Sequence, residues 1–303
     1  MKNKKLTAAE MPKRLVNELA SPVAEQKEMS TNIFHAVNLG DAIAAMAAVK
    51  KFYDVTKRKV CFLQKIDQPA AYYQGAVHPT TNSEGATVCV NQAGFNMLKP
   101  LLESQYYVHK TEEYNGQRID LDFNIIRGKT FVNMPNGMIQ SWVMYAFPDL
   151  AIDLSKPWIE LSGKCPANIL KQVKGKIILN FTERYRNAQA DYFFLKNYEP
   201  DLIFAGTERE HWLFCNQWQI NIPRLEVKDF LEYACAIKYS RFLLGCQTLG
   251  WNLAESMKSP RILEMCSFAP NCMPFIGEDS YGFFHQVGLE YYFKILYNKT
   301  LRK

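Results

Sequence analysis

The chain has 303 residues, 48% of them hydrophobic and 22% charged, and a formal net charge of +6. That length predicts two domains, and that balance excludes a disordered chain, which buries too little apolar surface to fold. The charge is mild: it suits an anionic small ligand and gives no support for a nucleic-acid partner.

Residues 1–30 read as a charged N-terminal extension, helical around Ala8–Leu19. Asn32–Val37 reads as a strand, Asn38-Leu-Gly-Asp41 as a turn and Ala42–Tyr53 as an Ala-rich helix. Lys59–Leu63 is the next strand and completes a βαβ unit. Apolar runs at Thr87–Val90, Ile119–Phe123 and Phe131–Val132 fit further strands, and Met138–Phe147 reads as helix. The turn-rich Pro148–Pro157 and the polar Gly163–Pro166 place a domain boundary within 150–170. We set it between a domain of 31–160 and one of 161–275.

A second cycle opens with the strand Lys176–Asn180. It continues through strand Asp201–Ala205, helices Glu208–Gln217 and Asp229–Tyr239, strand Phe242–Leu244, a helix over 251–258 and strand Pro260–Glu264. The aromatic-rich tail Tyr281–Leu301 reads as helix. Alternation of strand and helix in both halves predicts an α/β fold of two Rossmann-like, doubly wound domains. Their ligands belong at the C-terminal ends of the strands, in a cleft between the domains.

Several strand ends carry candidate chemistry. Asp41 opens the first helix and reads either as a general base or as a helix cap. Thr182, Arg184 and Arg186 follow a central strand; two guanidinium groups beside a hydroxyl suit a diphosphate, and a solvated charged loop is the plain alternative. In Phe204-Ala-Gly206-Thr-Glu208-Arg-Glu210, one acid suits ribose hydroxyls and the other the helix N-terminus. Gln247, Thr248, Gly250 and Asn252 crowd another helix start, where unpaired amides attract phosphate. G-x-x-x-x-G-K-[ST], G-x-G-x-x-G and G-x-S-x-G are all absent.

The eight cysteines form no C-x-x-C pair, and several sit in apolar runs. They read as reduced thiols of a cytoplasmic protein. Five scattered His give no metal signature. The first 30 residues lack the apolar core of a secretory signal, and no run nears the ~20 apolar residues of a membrane span.

The ordered set of turns resembles a known family. Asn38–Lys50 resembles the Gly-Asp turn and helix of heptosyltransferase-type glycosyltransferases. Asp229–Gly245, continuing through Gln247–Glu255 to Ser259-Pro260, resembles that family's donor-binding region, and Ala205–Glu208 its Gly-containing strand end. The resemblance implies a GT-B fold, with the acceptor on the N-terminal domain, the nucleotide-sugar on the C-terminal domain, and residues 276–303 returning as a helix to the N-terminal domain. It also implies an inverting, metal-independent transfer of a sugar from a nucleotide-sugar, the co-substrate, to a hydroxyl of a glycan or small acceptor. No cofactor is implied. Asp41 matches the general base. Thr182, Arg184, Arg186, Gly206, Glu208, Gln247, Thr248, Gly250 and Asn252 stand in the segments that the resemblance assigns to donor binding. The family's turn carries Asp, then Ser or Thr, then Gly, and a following His. Here Gln247 and Asn252 replace the Asp and the His, and Gly250 is displaced by one, so heptose does not follow as the sugar. A non-catalytic GT-B-like binding protein and a glycosyltransferase acting on nucleic-acid bases are the alternatives.

Overall fold

Two parallel sheets organise the chain, which a computed structural model describes over residues 30–70, 75–124, 150–268, 272–274 and 277–301. The expected extension, the strand at 131–132 and the helix at 138–147 lie outside those residues. In the N-terminal half, β1 (Thr31–His35), β2 (Val60–Gln64), β3 (Val108–Glu113) and β4 (Leu121–Asp122) pair in the order β3-β2-β1-β4. All three pairings are parallel. Helix α1 (Leu39–Thr56) joins β1 to β2, and α2 (Gln92–Glu103) precedes β3.

In the C-terminal half, α3 (Ala167–Val173) leads into β5 (Ile177–Asn180). Then come β6 (Leu202–Phe204), α4 (Glu208–Trp218), α5 (Phe230–Tyr239), β7 (Leu243–Gly245), α6 (Leu249–Ser256) and β8 (Arg261–Glu264). β9 (Ser280–Phe283) and α7 (Gln286–Leu301) follow. The order is β6-β5-β7-β8-β9, again wholly parallel. Every residue of β5, β6, β7 and β8 is buried, as expected of a parallel sheet covered on both faces. These continuous apolar runs are why the C-terminal strands stand out in the sequence.

Three local expectations change. Thr87–Val90 is no strand: Thr87 and Val88 form only isolated antiparallel bridges to Thr81 and Pro69, because this segment turns back on its own loop. The tail begins as the edge strand β9 before α7, and Tyr281 pairs with Ile262. Finally, among the described residues α7 packs on the C-terminal half, where the resemblance implies a return to the N-terminal one. Its Leu289, Phe293 and Leu296 bury with Phe242, Leu244 and Ile262 of the C-terminal domain, and Arg241 donates to the Tyr297 carbonyl.

The two halves share one core. A single cluster runs from Ile33, Phe62 and the alanines of α1 through Trp158 to Trp251, Leu253 and Ile178. Helix α1 is buried without a break from Asp41 to Val49. A helix apolar all round is an interior helix. This one lies between its own sheet and α6, and the small alanine side chains let the helices approach closely. Trp158 ties them together: its Nε1–H donates to the Ile43 carbonyl at 2.9 Å, and its backbone N–H donates to the Ser256 carbonyl at 2.9 Å.

Candidate active site between the domains

In a doubly wound sheet the ligand crevice opens where successive strands depart in opposite directions. In the N-terminal sheet that point lies between β1 and β4, and in the C-terminal sheet between β5 and β7. Beside the first, the Asn124 side chain accepts the Ala36 N–H at 2.8 Å, and Asn38 stands at the N-cap position of α1. Beside the second, Asn180 ends β5 and Gly245 ends β7, with the Cys246 N–H donating to the Asn180 carbonyl at 3.1 Å.

The starts of α1 and α6 meet. A Cβ placed on Gly40 lies 3.0 Å from the Asn252 amide nitrogen and 3.9 Å from the Leu249 backbone nitrogen. Further along, Trp158 bridges Ile43 and Ser256, so the helices run side by side with both N-termini at the same end. Each start presents first-turn N–H groups that no intrahelical carbonyl can satisfy, and each carries the positive end of a helix dipole. Asp41, 5% exposed, is the carboxylate in the first turn of α1. Asn38 occupies the N-cap position without a side-chain cap bond, and Asp41 stands three residues on, where a carboxylate also meets the helix dipole.

The other predicted residues divide by what already holds them. Thr248 caps α6; its hydroxyl accepts the Trp251 N–H at 3.2 Å and donates to Asn180 Oδ1 at 2.5 Å. Asn180 in turn donates to the Ala205 carbonyl at 2.6 Å. Gly250 fits only as glycine, since a Cβ there comes within 2.2 Å of the Tyr233 hydroxyl and 2.3 Å of Asn180 Oδ1. Asn252 donates to the Thr248 carbonyl, and Gln247 is buried in the same turn. The side chains of this turn therefore shape it, and what it offers an anion is its backbone amides.

Arg184 and Arg186 part company. The Arg184 guanidinium donates across to the Val77 carbonyl of the N-terminal half at 3.2 Å. There it adds to burial in depressing His78, to about 4. Arg186 instead packs over the Phe181 ring and grips Glu264, its Nε 3.0 and 3.3 Å from the two carboxylate oxygens. Burial opposes the Arg186 charge, but Glu264 outweighs it and holds the guanidinium above its ordinary value. Glu264, fully buried, also accepts from the Tyr192 hydroxyl and the Asn187 N–H, at 2.5 Å each. Arg186 thus neutralises a buried carboxylate. Thr182 bonds back to the Arg184 carbonyl.

Of the two acids, Glu210 completes a capping box with Thr207 under Gly206, and burial raises its carboxyl. Glu208 is 89% exposed, 3.7 Å from Arg224. Asn180, Glu264 and Tyr233 were missed in the sequence. Asn180 had a visible signal, a polar residue closing an apolar strand; Glu264 had the same one. Tyr233, buried mid-helix, had none.

Among the described residues, no group of three His, Cys, Asp or Glu can hold a metal, and no helix is long and apolar enough to cross a membrane. All eight cysteines are free thiols, and burial pushes Cys246, beside the Gln247–Gly250 turn, up to about 11.

No protein-family model matches the chain, and no curated protein matches it. Solved structures do. A glycosyl transferase family 9 structure from Veillonella parvula superposes with a TM-score of 0.50 at 9% identity, covering 91% of each chain. The E. coli ADP-heptose lps heptosyltransferase II superposes with a TM-score of 0.50 at 9% identity, over 89% of this chain and 99% of that one. The fold is therefore the two-domain GT-B fold of the heptosyltransferases, retained at an identity too low to carry chemistry with it.

Proposed function

We propose that the protein is a glycosyltransferase that takes a sugar from a nucleotide-sugar donor and passes it to an acceptor hydroxyl. The observation that carries this reading is the meeting of two helix N-termini, one from each domain, around the single first-turn carboxylate Asp41. The donor lies on the C-terminal crevice, with its diphosphate against the first-turn amides of α6 and Arg184 at its flank. The acceptor enters beside β1. Its hydroxyl attacks the anomeric carbon from the face opposite the diphosphate, Asp41 takes the hydroxyl proton, and the carbon–oxygen bond to the diphosphate breaks with inversion. The charge that builds on the leaving nucleoside diphosphate is met by preorganised amides and a guanidinium, without a metal ion. Glu208, exposed at the start of α4, accepts hydrogen bonds from the ribose hydroxyls.

Replacing Asp41 by Asn tests the role of the carboxylate. Transfer is expected to fall by about 10²–10⁴-fold with nucleotide affinity retained, since only the proton acceptor is lost. A variant that transfers sugar at the parental rate removes Asp41 from the mechanism.

One set of observations favours a second reading, a binding protein that keeps the fold without transfer. Arg186 and the Thr248 hydroxyl are committed within the fold, and α1 and α6 touch where a donor and acceptor meet. Nucleotide binding without transfer to any acceptor supports that alternative.

A further inference from the structure

A groove of 660 Å³ opens in the C-terminal domain, between the segment that follows β5 and helix α4. That is the size of a small-molecule site. Phe181 and Phe214 form its floor, their rings stacked 4.8 Å apart and 5° from parallel. Trp212 stands at its edge, 64% exposed. Among the described residues its ring packs on no other ring, an unusual outlay of apolar surface for a helix that has a buried face of its own. Trp218 also lines the groove; it is 8% exposed, and its indole N–H has no acceptor among the described residues. A buried donor without an acceptor costs stability unless something supplies one. Asn216 and Gln217 place exposed amides on the rim.

The charges around the groove cancel. Arg186 is held by Glu264, and Glu183 is held by two bonds from Arg209, at 2.7 and 3.0 Å. The Glu210 carboxylate is occupied by Thr207. An anionic ligand finds no unpaired cation here and meets two carboxylates. An apolar ligand leaves the amides and the indole N–H unmatched. A ring with one apolar face and hydroxyls at its edge matches both requirements, since each hydroxyl accepts as well as donates.

We infer that this groove binds a neutral sugar ring, with Trp212 against its apolar face and a hydroxyl oxygen accepting from the Trp218 indole N–H. The inference stands independently of donor binding and of Asp41. The groove shares Thr182 with the crevice end of β5, so a saccharide held here lies on the same domain as the proposed donor site.

Saturation-transfer NMR on the full chain tests it, with maltose, cellobiose, lactose and diacetylchitobiose as probes, each to about 20 mM, and AMP as a non-saccharide control. At least one disaccharide is expected to bind saturably. Trp212→Ala, an exposed substitution that leaves the fold intact, is expected to weaken it about tenfold. Trp218→Phe keeps the packing and removes only the N–H, and is expected to weaken it several-fold. No saturable disaccharide binding overturns the inference. So does binding indifferent to Trp212→Ala, or AMP binding that Trp212→Ala abolishes while the saccharides stay inert. Stabilisation of Trp212→Ala by nucleotide-sugars, measured in parallel, reports the donor site separately, so the two readings fail independently.

Discussion

Two glycines at the β7–α6 turn and one buried ion pair nearby each give a sharp expectation. A Cβ at Gly245 lies 2.4 Å from the Asn180 backbone carbonyl, which cannot move without shifting β5 against β7. Gly245→Ala should cost more than Gly250→Ala, whose Cβ meets only side chains, and the second should cost about 1–3 kcal/mol in urea denaturation. Adding Tyr233→Phe should restore part of the Gly250→Ala loss, because it removes the hydroxyl 2.2 Å from the new methyl. At the ion pair, Glu264→Leu strands Arg186 and removes the acceptor of Tyr192 and Asn187. The expected loss is about 3 kcal/mol, at the low end for a buried pair because Arg186 keeps 24% side-chain exposure. Combining it with Arg186→Met should recover most of that loss, which unfolding free energies of the single and double variants will show. The importance of Gly245 and Gly250 was legible as glycine at a strand-to-helix turn. The role of Arg186 was not, since its partner lies 78 residues away.

Helix α1 carries the contact between the domains. Ala48 is fully buried in the seam between sheet and helices, so Ala48→Leu should cost about 1–3 kcal/mol by overpacking. Val55→Lys, on the same helix but 49% exposed, should stay within about 0.5 kcal/mol; thermal denaturation of both separates seam from surface. The helix and the strands β1, β2, β5, β6, β7 and β8 were readable from the sequence because continuous apolar runs and an alanine-rich stretch are local signals. β3 and α2 were not, because the polar, partly exposed Val108–Glu113 carries no run of buried residues and α2 follows a loop held by tertiary bridges. The destination of α7 depends on which surface its apolar face covers, and no local pattern encodes that.

At the scale of the whole molecule, the domains are joined by a shared core and by a polar contact from Arg184 to the loop that holds Val77 and His78. Burial, with Arg184 alongside, lowers His78 from 6.5 to about 4. The folded state therefore binds fewer protons than the unfolded chain between those values, and stability should be complete above pH 6.5 and fall as the pH drops toward 4. His78→Gln should flatten that slope, read from denaturation midpoints across the same range. The two-domain layout was legible from the alternation of elements. The direct meeting of α1 and α6 was not, because it depends on the packing of two helices whose starts, Leu39 and Leu249, are far apart in the chain. The central claim is that this meeting point binds a nucleotide-sugar. It is tested most directly by titrating the protein, with EDTA present, against UDP-, GDP-, ADP-, CMP- and dTDP-sugars while following its melting temperature. The account predicts stabilisation by one nucleotide class, weakened in Arg184→Ala. Equal melting temperatures with every nucleotide at millimolar concentration contradict it.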